Sequence, residues 1–186
     1  MAFLHSNPFK SCSPRAKKRL DYLPISTKVA TFVPMNSMQA LNLPPAPLRL
    51  SKRDGHTYVF DPLRRRYVRL TPEEWVRQHF VHFLTEHRGY PMGQLQNEVS
   101  LSLGQMTKRC DTVLYDHEAR PQMIVEYKAP TVAISQRTFD QVSRYNIVMR
   151  VPYLIVSNGL QHYCCSIDYE QGTYKFLRDI PEYGNL

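Results

Sequence analysis

The chain has 186 residues, of which 42% are hydrophobic and 22% are charged, values close to those of soluble globular proteins. The length indicates one domain with appendages. No apolar run reaches the ~18–20 residues of a membrane helix, and the lack of a GxxxxGK[ST] loop excludes a P-loop ATPase motor. The formal net charge is +8, from 24 Lys and Arg against 16 Asp and Glu.

The positive charge is confined to the first part of the chain. Residues 1–37 and 49–70 each carry a net charge of +5, whereas residues 71–186 carry −2. A basic segment favours a nucleic-acid partner. A solvated basic surface explains the same charge equally well.

Residues 1–48 are predicted to be a basic tail. They contain seven prolines and show little periodicity, so we expect them to be disordered or to pack in an extended form. Met35 and Met38 are candidate internal starts, so the basic tail is alternatively an artefact of the chosen translation start.

Residues 49–70 are predicted to form a basic β-hairpin. Its strands are 56–60 and 66–70, and the Asp-Pro of residues 61–62 opens the turn. Arg64, Arg65 and Arg66 lie at this turn, where they are candidates for binding a nucleic-acid backbone. A solvated turn is the alternative.

Residues 71–186 are predicted to form an α/β domain with a central mixed sheet flanked by two helices. The first helix covers residues 72–88, with Thr71 as N-cap and Gly89 as the stop. Strands follow at 95–103, 108–115 and 122–128, and a second helix at 135–149 begins after Ser135. The remaining strands are 153–157, 161–167 and 173–177. The order is therefore αβββαβ followed by two short strands.

Charged residues interrupt two of the apolar strands. Glu126 and Lys128 follow the run 123–125, and the strand period of two places them on one face. If the strand containing Asp111 pairs with this one as a hairpin, Asp111 and Glu126 approach each other. Two such carboxylates suit Mg²⁺ with retained waters, which could support hydrolysis of a phosphodiester. Taken alone, Glu126 and Lys128 are more typical of an edge-strand ion pair than of a catalytic site.

Several short motifs in chain order resemble the PD-(D/E)XK nuclease superfamily over about residues 72–167. The resemblance is greatest to the N-terminal nuclease domain of type I restriction enzyme R subunits and to small stand-alone proteins like it. One departure is Cys110, which stands where the superfamily name implies proline. The motifs are residues 72–77, 89–91, 108–111, 124–130, 141–145 and 157–159, together with Glu98.

The resemblance implies a restriction-endonuclease-like fold and a set of roles. Asp111 and Glu126 would bind Mg²⁺, or Mn²⁺ as a substitute, and Lys128 would be the catalytic lysine. Gln141 would complete the catalytic set by orienting the site or touching nucleic acid, with Tyr145 packed beneath it. Glu74 and Glu98 would be accessory acidic residues.

The resulting hypothesis is a metal-dependent DNA endonuclease. The alternative is a non-catalytic nucleic-acid-binding or accessory module with the same fold, and RNA or branched DNA are other conceivable substrates. DNA is the expected partner, with a homodimer or a partner subunit as further options and no membrane association. The translocating motor of a type I R subunit is missing, which puts ATP-driven restriction by this chain alone in doubt.

Two other groups of residues carry weaker signals. The four cysteines lack CxxC spacing, which favours reduced thiols and a cytoplasmic location. His79, His82 and His87 share a helix but lack the HExxH pattern of a zinc site, so we interpret them as structural. Ser157 has no evident histidine partner in the sequence, which argues against a catalytic serine.

Overall fold

The structure is a computed structural model that describes residues 38–103 and 106–186. These residues form nine β-strands, two α-helices and two 3-10 turns. The strands are β1 (Leu50–Arg53), β2 (His56–Asp61), β3 (Arg66–Arg69), β4 (Leu95–Leu103), β5 (Met106–Tyr115), β6 (Pro121–Tyr127), β7 (Tyr153–Ser157), β8 (His162–Asp168) and β9 (Thr173–Leu177). The helices are α1 (Pro72–His87) and α2 (Gln136–Met149), and the 3-10 turns are Met92–Gln94 and Tyr183–Asn185.

The predicted αβββαβ order, followed by two strands, is confirmed. Helix α1 begins where its capping signals lie, because Thr71 Oγ1 accepts a hydrogen bond from the N–H of Glu74 at 3.1 Å. It ends before Gly89, which has a φ of +73° that glycine adopts without a steric penalty. Helix α2 begins after Ser135, whose N–H donates to Thr138 Oγ1 at 3.4 Å.

The six strands β4 to β9 form one mixed sheet in sequential order. Only the β6–β7 pair within it is parallel, and α2 is the crossover that a parallel connection requires. Helix α1 packs on one face, where Phe80 joins a buried cluster with Val125 and Tyr127. Helix α2 packs on the other, where Val142 joins Ile124. This arrangement is the predicted α/β sandwich.

The predicted basic hairpin has a third strand. β1, β2 and β3 form a separate antiparallel sheet, in which β1 pairs with β2 from Leu50↔Val59 to Arg53↔His56. The residues of β1 are polar or basic after Leu50, so the strand shows no apolar alternation in the sequence. The strand is therefore stabilised by its pairing with β2, and its own sequence pattern does not predict it.

Part of the predicted tail packs on the domain. Residues 1–37 lie outside the described residues, whereas residues 38–48 have the extended, packed form. Trp75 Nε1 donates to the carbonyl of Gln39 at 3.0 Å, and Asn42 N–H donates to the carbonyl of Gly159 at 2.7 Å. Gly159 has a φ of +81°, and a Cβ there would lie 2.6 Å from Leu41 Cδ2. Glycine is therefore needed at this contact for both conformation and space.

Three cysteines fall within the described residues. Cys110, Cys164 and Cys165 are free and buried, while Cys12 lies outside the described part of the chain. Cys164 and Cys165 belong to clusters on opposite faces of the sheet, as strand alternation predicts. Within residues 38–103 and 106–186, no helix has the length and apolarity needed to cross a membrane.

Candidate active site

The structure brings Asp111 and Glu126 together at neighbouring strands. Thr112 of β5 pairs with Val125 of β6, so the register continued by one residue places Asp111 opposite Glu126. One residue further along β6, the N–H of Tyr127 donates to Asp111 Oδ2 at 2.8 Å. A side-chain carboxylate therefore accepts a hydrogen bond that a backbone carbonyl would accept in a regular ladder. The two predicted metal ligands therefore lie where the regular ladder between β5 and β6 stops.

Glu126 lies in a nearly dry environment with two donors. It is 4% exposed, and its Oε1 accepts from Lys128 Nζ at 2.8 Å and from Gln141 Nε2 at 3.0 Å. Burial and the negative charge of Asp111 raise the pKa of Glu126 to about 7, against the opposing effect of Lys128. A carboxyl with this pKa changes its charge near neutral pH.

Lys128 remains a cation in this arrangement. Burial lowers the pKa of the Lys128 amine, but the hydrogen bond and charge of Glu126 outweigh that effect, so the pKa is raised overall. The side chain of Lys128 is 19% exposed. At neutral pH it is therefore an electrostatic group and a proton donor in hydrogen bonds, and it is unsuited to act as a base.

A buried arginine that the sequence analysis did not single out holds Asp111. Arg77 Nη2 lies 2.7 Å from Asp111 Oδ1 and 3.0 Å from Glu98 Oε1, and Arg77 Nη1 lies 2.5 Å from Glu74 Oε2. Burial lowers the pKa of Arg77, but Asp111, Glu74 and Glu98 raise it more. The spacing of three between Glu74 and Arg77 was the available signal, since such residues are neighbours on a helix.

The two predicted accessory acids reach the site through this arginine. Glu74 is buried and also accepts from Arg64 Nη2 at 2.5 Å and from Gln78 Nε2 at 2.8 Å. Glu98 has a φ of +59° inside β4, a conformation that costs on the order of 1–3 kcal/mol for a residue other than glycine. Its neighbours Asn97 and Val99 pair with Thr112 and Cys110, so this kink lies opposite Asp111.

The β2–β3 turn is tied to the same cluster. Asp61, which is fully buried, accepts from the N–H groups of Leu63 and Arg64, from the Arg64 guanidinium and from Asn97 Nδ2. Burial raises the pKa of Asp61, but these donors lower it below its usual value overall. Asn97 Oδ1 in turn accepts from Thr112 Oγ1 at 2.6 Å. The sequence analysis treated Asp61 only as a turn residue.

The three arginines predicted to bind nucleic acid differ in their surroundings. The Arg64 side chain is 13% exposed, and its guanidinium is held by Asp61 and Glu74. Arg65 and Arg66 are exposed. Arg64 thus anchors the turn, whereas the other two are accessible to a ligand.

The cluster as a whole contains more anions than cations. Among the described residues, its carboxylates are Asp61, Glu74, Glu98, Asp111 and Glu126, and its cations with side chains at most 19% exposed are Arg64, Arg77 and Lys128. Arg109, which is 66% exposed, adds one further contact to Glu98 at 3.0 Å. With Arg109 counted, five carboxylates face four cations, and a further cation would favour the ionised form of Glu126, whose pKa is raised to about 7.

The remaining candidates have structural surroundings or lie outside the described side chains. The Tyr145 side chain is among the latter. His79 is buried, and its Nδ1 lies 2.9 Å from the carbonyl of Trp75. Ser157 does have a histidine partner, contrary to the sequence analysis, since its Oγ lies 2.8 Å from His162 Nδ1.

The Ser157–His162 pair fixes the end of β7. Ser157 is fully buried, and His162 Nε2 lies 3.0 Å from the carbonyl of Asn42. The Ser157 carbonyl accepts the N–H of Lys128 at 2.9 Å. The Ser157 backbone therefore positions that of Lys128, and burial makes the Ser157 hydroxyl inaccessible to a substrate.

The αβββαβ core with an acidic pair and an adjacent lysine at its strand ends defines a nuclease-like module of the restriction-endonuclease-like class. The sequence profile described as "Type I restriction enzyme R protein N terminus (HSDR_N)" matches residues 72–181. The chain belongs to this family. No curated protein sequence matches it.

One similar solved structure is "The fragment structure of a putative HsdR subunit of a type I restriction enzyme from Vibrio vulnificus YJ016". It is 20% identical, with a TM-score of 0.44. The alignment covers 60% of this chain and 24% of that one. The aligned part of this chain thus spans about a quarter of the length of that fragment.

Proposed function

We propose that the protein is a divalent-metal-dependent endonuclease that hydrolyses phosphodiester bonds of DNA. The observation that carries this proposal is the meeting of Asp111 and Glu126 beside Lys128 at the ends of β5 and β6. Membership of the type I restriction enzyme R N-terminus family supports the same chemistry.

The donor set fits Mg²⁺. Asp111 and Glu126 would hold the ion, and Mg²⁺ commonly binds through one or two carboxylates while it keeps several waters. The raised pKa of Glu126 reflects repulsion from Asp111 as well as burial, and a divalent cation between the two carboxylates would relieve that repulsion. None of the hydrogen bonds among the described residues ends on Glu126 Oε2. When bound, the metal would activate a water and neutralise charge on the phosphate.

The other residues prepare the site for an anionic substrate. Lys128, held as a cation by Glu126, would stabilise the negative charge that develops on the scissile phosphate. Gln141 would hold the orientation of the Glu126 carboxylate through its 3.0 Å hydrogen bond. Arg77 would fix Asp111, with Glu74 and Glu98 holding the guanidinium of Arg77 in turn.

The substrate and assembly follow from the same proposal. DNA is the expected substrate, and Arg65 and Arg66 would contribute backbone contacts. Cleavage of both strands of a duplex requires two sites or two events, which a homodimer or a partner subunit of a type I complex would supply. Mn²⁺ is expected to replace Mg²⁺.

A specific observation favours the alternative of a non-catalytic accessory module. Each of the two carboxylates already forms an ion pair with a protein cation: Arg77 pairs with Asp111 at 2.7 Å, and Lys128 pairs with Glu126 at 2.8 Å. Such pairs can stabilise the fold in place of a metal. In that case the chain would bind nucleic acid without cleaving it.

Two measurements on the same variants separate these functions. Supercoiled plasmid is incubated with Mg²⁺, and Mn²⁺ binding is followed by calorimetry, for the wild type and for Asp111→Asn, Glu126→Gln and the control Glu118→Gln. Glu118 is 67% exposed, and among the described residues its side chain pairs only with Arg120. We expect nicking and Mn²⁺ binding in the wild type and the control, and loss of both in the site variants. Nicking that persists unchanged in Glu126→Gln would reject the proposal, and parallel assays with RNA and branched DNA define the substrate.

A further inference from the structure

The three-stranded sheet presents one face that combines arginines with aromatic rings. Side chains of residues paired in register lie on the same face of a sheet. His56, Tyr58 and Phe60 are every second residue of β2, and they pair with Arg53, Arg69 and Tyr67, respectively. The carbonyl of Arg49 accepts the N–H of Phe60. We name this surface the basic-aromatic face, formed by Arg49, Arg53, Tyr58, Phe60, Tyr67 and Arg69.

The arginines of the basic-aromatic face have no acidic partners among residues 38–103 and 106–186. Arg49, Arg53 and Arg69 are exposed, and none of the ion pairs between described residues includes them. In contrast, Arg77 and Arg88 are held by carboxylates. A group of exposed cations without anions of its own is suited to an anionic ligand.

The aromatic rings hold the guanidinium groups in place. The Arg49 guanidinium carbon lies 3.8 Å from the centroid of the Phe60 ring, and that of Arg53 lies 5.2 Å from the centroid of the Tyr67 ring. These are cation–π distances. Because guanidinium groups cover these rings, the face is better suited to contact phosphates than to stack bases.

The sheet is joined rigidly to the candidate active site. Its β2–β3 turn contains Asp61 and Arg64, and Arg64 reaches Glu74 of α1 at 2.5 Å. Glu74 contacts Arg77, which contacts Asp111. A ligand held on the sheet is therefore held in a fixed relation to Asp111.

We propose that the basic-aromatic face binds the phosphate backbone of double-stranded DNA and presents the duplex to the site at Asp111 and Glu126. The choice of DNA rests on the proposed function, whereas the phosphate chemistry rests on the arginines. Binding of this kind is independent of sequence and weakens steeply with salt.

The test measures binding without cleavage. A fluorescein-labelled 20-base-pair duplex is titrated with the full chain in EDTA at several salt concentrations, and anisotropy gives the Kd. Arg53→Gln is compared with Lys52→Gln, its chain neighbour, which is exposed and points to the opposite face because it pairs with Thr57. Both substitutions remove one positive charge from neighbouring residues, but on opposite faces of the sheet.

We expect Arg53→Gln to weaken binding about eightfold at 0.1 M salt and to reduce the salt slope by about 0.9, the values for one lost phosphate contact. Arg53→Gln with Arg69→Gln should lower the slope by about twice that amount, and Arg53→Lys should retain it. Lys52→Gln should change the Kd by less than about twofold.

Equal losses for Arg53→Gln and Lys52→Gln, or none for either, would overturn the proposal. Tighter binding of a single strand or an RNA duplex than of the DNA duplex would overturn the choice of ligand. Mg²⁺-dependent nicking by the wild type, compared with the affinity of Arg53→Gln, separates the two proposals. If the wild type shows no Mg²⁺-dependent nicking but Arg53→Gln still loses affinity, the proposed function fails and the binding face stands. If nicking occurs and Arg53→Gln binds normally, the proposed function stands and the binding face fails.

Discussion

Arg77 and Asp111 form an ion pair at 2.7 Å that joins helix α1 to strand β5 inside the candidate active site. The same guanidinium group contacts Glu74 and Glu98. The Arg77 side chain is 7% exposed, so these contacts are poorly screened by water. Arg77 therefore compensates the negative charge of carboxylates from three separate elements of the fold.

Removal of Arg77 should destabilise the protein. Arg77→Met leaves carboxylates without their buried cation, and breaking such a pair costs about 3–5 kcal/mol of unfolding free energy. Urea unfolding measures this cost. Added Mg²⁺ should raise the Tm of Arg77→Met more than that of the wild type, because the metal would take over part of the compensation.

Arg120→Met is the control for this experiment. Arg120 pairs with Asp116 at 2.8 Å, but its side chain is 68% exposed, and water and salt screen exposed pairs so that they contribute little to stability. A loss in Arg77→Met no larger than that in Arg120→Met would show that the buried cluster does not depend on Arg77.

The titration of Glu126 should appear in the pH dependence of stability. Its pKa is raised to about 7 by burial and by Asp111, so the folded protein holds this proton more tightly than the unfolded chain does. The resulting stabilisation is complete below the ordinary pKa of glutamate and is lost as the pH rises through about 7. Relative to Glu126→Gln, the wild type should lose about 1–3 kcal/mol between pH 4 and pH 8.

Urea unfolding in EDTA at several pH values tests this prediction, with Glu118→Gln as an exposed control. A constant difference between the wild type and Glu126→Gln across the pH range would contradict it. Mg²⁺ binding favours the ionised carboxyl. The Tm increase on adding Mg²⁺ should therefore be larger at pH 8 than at pH 6.

Lys128 should matter for cleavage more than for metal binding. Lys128→Met removes the positive charge proposed to stabilise the phosphate, and loss of one such group costs about 10²–10³ in rate. Mn²⁺ binding should be unchanged or tighter, because the substitution removes the ammonium group that competes with the metal for Glu126. Plasmid nicking and calorimetry test the two effects, with exposed Lys175→Met as the control. Loss of Mn²⁺ binding together with nicking would contradict the role given to Lys128.

The contact of residues 38–48 with the domain can be tested at Gly159. Gly159 and Gly172 both have positive φ, +81° and +65°, but only Gly159 has Leu41 within the reach of a Cβ. Gly172→Ala should cost about 1–2 kcal/mol from backbone strain alone. Gly159→Ala should cost a further ~1–3 kcal/mol from overpacking.

A second substitution assigns this extra cost. In Leu41→Ala, the additional penalty of Gly159→Ala should become smaller, which a double-mutant cycle of unfolding free energies measures. Equal penalties for Gly159→Ala and Gly172→Ala would mean that the packing of Leu41 on Gly159 contributes nothing to stability.

Much of the fold was predictable because its signals are local. The caps at Thr71 and Ser135 predicted both helix starts, and strand β4 has the predicted bounds of 95–103. The same-face placement of Glu126 and Lys128 followed from strand periodicity, and the structure brings Gln141 to them.

Other features depend on contacts between distant parts of the chain. β1 is defined by its pairing with β2, and its polar residues give no periodic signal. Asp61 and Arg77 meet the site only after α1 and the small sheet dock on β4 and β5. The Ser157–His162 pair forms across β7 and β8, where sequence spacing alone does not predict side-chain contact.

The topology also predicts an order in which the site is assembled during folding. β5 and β6 are antiparallel neighbours joined by a short turn, so their pairing closes only a small loop. The parallel β6–β7 pairing requires the whole α2 crossover, which is the slower kind of closure. We therefore expect Asp111 and Glu126 to come together before the crossover is complete, so that their repulsion would add to the folding barrier. We expect a divalent cation to speed folding of this chain as well as to slow its unfolding.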